Sequence, residues 1–147
     1  MQNEKNDDIE LLNTVYGTVT MGAGATEHMM KVTDDDALRS QFTNQLKEYR
    51  AIEAAALGRL HRLQQAPEGY GSMTKMMSRV GIKMNTALDS TPSHLAEMAI
   101  RGAGMGVTEI EGAKNSCPGA SDESKHLAEA VIDLEHRCED GLKQWLK

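Results

Sequence analysis

The sequence predicts an all-α fold: a four-helix bundle made of two antiparallel helix hairpins, with a short extra helix in the crossover between them. Three observations carry this. Apolar residues recur at intervals of three and four through almost the whole chain, the spacing that lines one face of a helix. No stretch of useful length alternates as a strand would, and aromatic residues make up only 3 % of the chain, which leaves Leu, Ile, Val, Ala and ten Met to build the core. The breaks after positions 32 and 116 are short, which makes the helices on either side antiparallel neighbours.

The first predicted helix spans 8–32, behind a polar tail at 1–7 that is expected to be flexible. Leu12, Val15, Tyr16, Val19, Ala23, Thr26 and Met30 share its inner face. "VTDDDA" ends it, and Asp34 to Asp36 offer an N-cap and negative charge to the next helix. The second spans 37–65, with Leu38, Phe42, Gln45, Tyr49, Ile52, Ala56, Leu60 and Leu63 in register, and stops at "APEGYG". The third is the short crossover helix, 72–88. It has a Met face (Met73, Met77, Val80, Met84, Leu88) opposite Lys75, Arg79 and Lys83. The fourth runs over 92–113, with Thr91 as N-cap and Pro92 in the first position. Its apolar arc is the widest: Leu95, Met98, Ala99, Ile100, Ala103, Met105, Val107 and Ile110. The fifth runs over 122–146 behind the turn "CPGASDES", with Leu127, Val131, Leu134, Cys138, Leu142 and Trp145 inward.

Glycines interrupt two of these helices in similar words, "TVTMGAGATEH" at 18–28 and "AIRGAGMGVTEIEG" at 99–112. Each interior glycine costs about 1 kcal/mol against alanine, so something must offset them. The simplest account is that the first and fourth predicted helices cross closely at Gly22, Gly102 and Gly106. The alternatives are a gap in the bundle that admits a ligand, or a local helix bulge.

Composition excludes several functions. A 147-residue chain with 39 % hydrophobic and 26 % charged residues is a single globular domain. A net charge of −6 argues against nucleic-acid binding. No apolar run is long enough to span a membrane, and the polar start "MQNEKNDDIE" lacks the features of a secretory signal, so a cytoplasmic location is expected. The two cysteines, Cys117 and Cys138, fall roughly 27 Å apart along the last helix, too far for a disulfide.

Bundles often hold metals through inward carboxylates, and one glutamate per long helix leans inward: Glu27, Glu53, Glu109 and Glu135. With Tyr49 they form a candidate carboxylate metal site for iron or another divalent metal. Their heights oppose it. Glu27 lies roughly 9 Å below the first interhelix loop, Glu53 nearly 30 Å beyond it, and Glu109 and Glu135 are offset by roughly 10 Å. The one Glu-x-x-His, Glu123 to His126, sits at the start of the last helix. His28, His94, His126 and His136 read as solvated surface residues, Cys138 as a small hydrophobe and Cys117 as a loop thiol. No nucleophile–base constellation is visible, and "GAGMG" follows no strand as a phosphate loop would.

The stretch "GIKMNTALDSTPSHLAEMAIRGAGMG" (81–106) resembles a group of small, uncharacterised bacterial helical-bundle proteins near the ferritin-like class. The resemblance runs from about Leu11 to Leu146. It implies a ferritin-like bundle in a cytoplasmic bacterial protein and carries over no catalytic residue. The expectation is therefore a non-catalytic binding or assembly module without a cofactor, forming a homo-oligomer, with a protein partner at the Met face as a further option. The alternative is the carboxylate metal protein.

Overall fold

The computed structural model describes residues 2–67 and 89–147, and these are all-α, with no strand among them. Four long helices form the bundle: α1 (Gln2–Val32), α2 (Asp36–Arg62), α3 (Pro92–Ser116) and α4 (Asp122–Leu142). A 3₁₀ turn, Lys143–Trp145, follows α4. The predicted crossover helix and its Met face at 72–88 lie outside the described residues.

Local chemistry sets most helix ends. Asp35 caps α2 by accepting from the Leu38 N–H at 2.8 Å. Thr91 accepts from the His94 N–H at 3.4 Å, with Pro92 opening α3. Ser121 accepts from the Ser124 N–H at 3.2 Å and starts α4. Each cap satisfies an N–H that has no partner inside its helix. Gln64, at φ 59°, turns left-handed just beyond α2.

Helix α1 begins at Gln2, well before the predicted start at Asp8. The reason is tertiary. Asp7 accepts from the Gly119 N–H at 2.8 Å, and Asp8 accepts from the N–H and hydroxyl of Ser121 at 3.1 and 2.8 Å. The polar first turns of α1 are thereby fixed to the α3–α4 loop. The predicted fifth helix ends at Leu142, and the 3₁₀ turn beyond it leaves Trp145 half-buried against the core.

The packing is heaviest between α1 and α2 and between α3 and α4, with α1 also against α3 and α2 against α4. Asp8 meets Arg59, Thr20 meets Glu53, Glu27 meets Arg50 and Met30 meets Thr43, so late α1 pairs with early α2. The core falls into two apolar clusters. One holds Leu11, Val15, Val19, Ile110, Val131 and Leu134. The other holds Leu38, Phe42, Leu95 and Leu142. Polar side chains from three helices are buried between these two halves.

Candidate functional site

All four helices contribute to a chamber of about 50 Å³ at the junction of the two clusters. Helix α1 supplies Thr18, Met21, Gly22, Ala25, Thr26 and Met29, and α2 supplies Gln45 and Tyr49. Helix α3 adds Met98, Ala99, Gly102, Ala103 and Gly106, and α4 adds Glu135. A water needs roughly 10–15 Å³ of such space, so the chamber holds a few waters or one ligand of a handful of heavy atoms.

Glu135 dominates its chemistry. The residue is 3 % exposed, and its Oε1 accepts a hydrogen bond from the Tyr49 hydroxyl. Burial pushes the Glu135 carboxyl up to about 8; the Tyr49 hydrogen bond opposes this, and Glu139 adds to it. Burial likewise raises Tyr49, with Glu135 and Cys138 next to it adding to the effect. The buried Cys138 thiol is pushed up to about 12, by burial first and by Glu135 second. At neutral pH all three are predominantly protonated, which gives a set of hydrogen-bonding groups without a nucleophile.

The glycines explain how a glutamate fits inside. A Cβ at Gly106 would sit on the Glu135 Oε2 and lie 3.0 Å from its Cδ. The same Cβ would come within 3.4 Å of Thr18 Cγ2 on α1. A Cβ at Gly22 would lie 2.8 and 2.9 Å from two ring carbons of Tyr49. Gly106 thus faces the first helix at Thr18, and both glycines also face a polar side chain of a further helix. Gly22 on α1 seats Tyr49 of α2, and Gly106 on α3 seats Glu135 of α4. The small residues make room for two polar side chains and the space between them. Gly102 lines the same chamber.

Three buried side-chain polar atoms have no partner among the described residues: Arg59 Nε, Thr18 Oγ1 and Gln45 Nε2. The last two belong to chamber-lining residues that are 3 % and 5 % exposed. Leaving such groups unsatisfied costs about 1–3 kcal/mol each, so both call for a polar partner in the chamber, an ordered water or a bound molecule. Gln45 was visible in the sequence as an amide inside an apolar stripe. Thr18 was not, because only the opposing helices determine whether its hydroxyl faces solvent or core.

The four glutamates proposed from the sequence lie in different surroundings. Glu27 is half-exposed and pairs with Lys31 and Arg50, each at 3.4 Å. Glu53 accepts from the Thr20 hydroxyl at 2.7 Å and from Arg50 at 3.1 Å. The Arg50 guanidinium therefore joins Glu27 to Glu53, its long side chain bridging their difference in height. Glu109 is half-buried on α3, and Glu135 alone lines the chamber. Among the described residues, the three side chains whose ligand atoms come within 4.8 Å of one another are Asp7, Glu10 and Cys117. Cys117 is buried there, its thiol pushed up to about 11 by burial with Glu10 and Asp7 adding to it. Glu123 of the Glu-x-x-His pair is held by Arg59 and Arg62 at 2.8 Å each, and His126 is exposed.

No helix among the described residues is long and apolar enough to cross a membrane. Protein-family models, curated proteins and solved structures were compared with the chain, and none matches.

Proposed function

We propose that this protein is a non-catalytic binding module whose bundle core takes a small ligand in the chamber between the two apolar clusters. The observation that carries the reading is the pair of buried, unpartnered groups, Gln45 Nε2 and Thr18 Oγ1, in the wall of a cavity that also holds the Glu135–Tyr49 pair. Structural interiors satisfy such groups, whereas ligand sites hold them ready. A ferritin-like arrangement of two antiparallel hairpins accommodates this chamber between the pairs, and homo-oligomeric assembly of a cytoplasmic protein fits the same reading.

The test is NMR of the Gln45 side-chain amide while small water-miscible compounds are titrated in. The expected result is a saturable shift of that amide for at least one compound, whose affinity by calorimetry falls in Gln45→Leu. If no compound moves it and a high-resolution structure shows only ordered waters in the chamber, the reading fails.

A second reading is a carboxylate metal protein. It draws on Glu135 being buried beside the Tyr49 oxygen, with Thr18 in the same wall. Elemental analysis of protein purified without chelator separates the two. Stoichiometric iron, manganese or zinc, lost on Glu135→Ala, favours the metal.

A further inference from the structure

Resting on the binding-module reading, we propose that the chamber selects a small organic ammonium ion carrying one hydroxyl, of the amino-alcohol class, with its cationic head against Glu135.

Among the described residues the wall contains one group able to carry charge against a cation, Glu135, and no Lys, Arg or His. A buried carboxylate needs a positive partner or it takes up a proton. Tyr49 donates to one of its oxygens, and an ionised carboxylate can accept several more hydrogen bonds. An ammonium head supplies both the charge and the donors. The other titratable groups around Glu135 are Tyr49 on α2 and Cys138 and Glu139 on α4, while α1 and α3 bring none to the wall. None of these is a cation that would compete for the carboxylate.

The rest of the wall sets the remainder of the ligand. Anions are disfavoured, because they would meet Glu135 with no compensating charge. Divalent ions are disfavoured too, since they need several oxygen ligands and more than one carboxylate is usual. Met21, Met29, Met98 and three alanines present methyl and thioether surface suited to a short alkyl segment. The Tyr49 ring is a further favourable neighbour for an organic cation. Gln45 Nε2 is a donor in need of an acceptor, and Thr18 Oγ1 can donate or accept, so a ligand hydroxyl can pair with either. The chamber volume of about 50 Å³ limits the molecule to a few heavy atoms.

Four nearly isosteric probes separate the possibilities: ethanolammonium, propylammonium, ethylene glycol and glycolate, with potassium chloride as the simple-cation control. Affinities are read by calorimetry and by the thermal midpoint, at pH 7 in two buffers of different ionisation enthalpy. Ethanolammonium is expected to bind at least about tenfold more tightly than ethylene glycol or glycolate. Its apparent heat is expected to depend on the buffer, because binding ionises Glu135 and releases a proton. Glu135→Gln, an isostere of the protonated acid, is expected to abolish the preference for ethanolammonium while ethylene glycol is unaffected. Gln45→Leu is expected to remove the preference of ethanolammonium over propylammonium. If ethylene glycol or glycolate binds as well as ethanolammonium, if potassium binds through Glu135 in its place, or if the preference survives Glu135→Gln, the ligand class is wrong and the chamber reading stands. If none of the probes binds, both fall.

Discussion

Asp8 and Glu135 are both carboxylates sealed into the bundle, at 5 % and 3 % exposure, and they have opposite chemistry. Asp8 sits where α1, α2 and the α3–α4 loop converge. Burial alone would raise its carboxyl. Hydrogen bonds from the Ser124 and Ser121 hydroxyls, then the Ser121 N–H and the Arg59 charge, outweigh that and hold it below the usual carboxylate range. Glu135 lies deeper in the interior than Asp8, has only the Tyr49 hydroxyl to oppose its burial, and its carboxyl is pushed up to about 8. Depth and the number of donors around it together decide what a carboxylate becomes. The Asp8 cluster is finished by the protein itself. The Glu135 chamber leaves donors unused and space unfilled, the difference between a structural joint and a binding site.

The largest effect that sharpens this contrast is in pH. The Glu135 carboxyl is raised above its unfolded value, so folding favours its protonated form. Its stabilising contribution is intact below about pH 4.5 and is lost as pH rises toward 8. Glu135→Gln cannot ionise. The variant is therefore expected to gain stability over the parent across that window, by an amount on the order of 4 kcal/mol at pH 8. Asp8 runs the other way: its contribution is present above its unfolded value and is lost as pH falls through its depressed folded value. Denaturant titrations of both proteins from pH 4 to 9 read this directly. Parallel curves would mean that Glu135 is solvated and that the contrast is false.

Next in size is Asp8→Ala. Removing this acceptor strips partners from the Ser121 N–H and hydroxyl and from Arg59, which also contacts Glu123. Breaking a buried pair costs about 3–5 kcal/mol, and Arg59 is partly exposed, so a loss of about 2–3 kcal/mol is expected at pH 7. The amides of residues 2–8 should also exchange faster, since the first turns of α1 lose their attachment to the loop. A variant as stable as the parent would show that the joint is ornamental.

Gly106→Ala follows, with an expected loss of about 1–3 kcal/mol in the unfolding midpoint. A methyl there would displace the Glu135 carboxyl, and Glu135 also lies under Tyr49, so there is little slack. The same substitution is expected to abolish any ligand-induced shift of the Gln45 amide.

How much of this was legible beforehand differs between the two regions. Helix periodicity and the cap at Thr91 with Pro92 are local signals, and among the described residues four long helices formed where those signals stood. The start of α1 is set by bonds to Gly119 and Ser121, more than a hundred residues away, and no local pattern around Asp7 or Asp8 encodes them. The chamber was half visible. The glycines stood out as costly, Gln45 as a polar residue on an apolar face, and Glu135 as a glutamate at the edge of an arc. What the glycines make room for could not be read, because it depends on which side chain of the neighbouring helix arrives opposite each one. On a helical wheel Glu27 stood at the edge of its arc as Glu135 did, and Glu53 stood inside its own; Arg50, one turn from Glu53, pairs with both Glu27 and Glu53.

The smallest effect tests whether the chamber is as localised as drawn. Gly104 is two residues from Gly106 on α3, roughly 200° around the helix, and a Cβ there would meet nothing within 4 Å. The glycine at 104 therefore seats nothing and keeps only its conformational cost. Gly104→Ala is expected to stabilise the protein by about 0.5–1 kcal/mol, with ligand response unchanged. Opposite signs for Gly104→Ala and Gly106→Ala, measured side by side by denaturant unfolding, would place the demand for space on the face of α3 that looks at Glu135. If both destabilise alike, the glycines of α3 serve the helix as a whole, and the chamber has no special claim on Gly106.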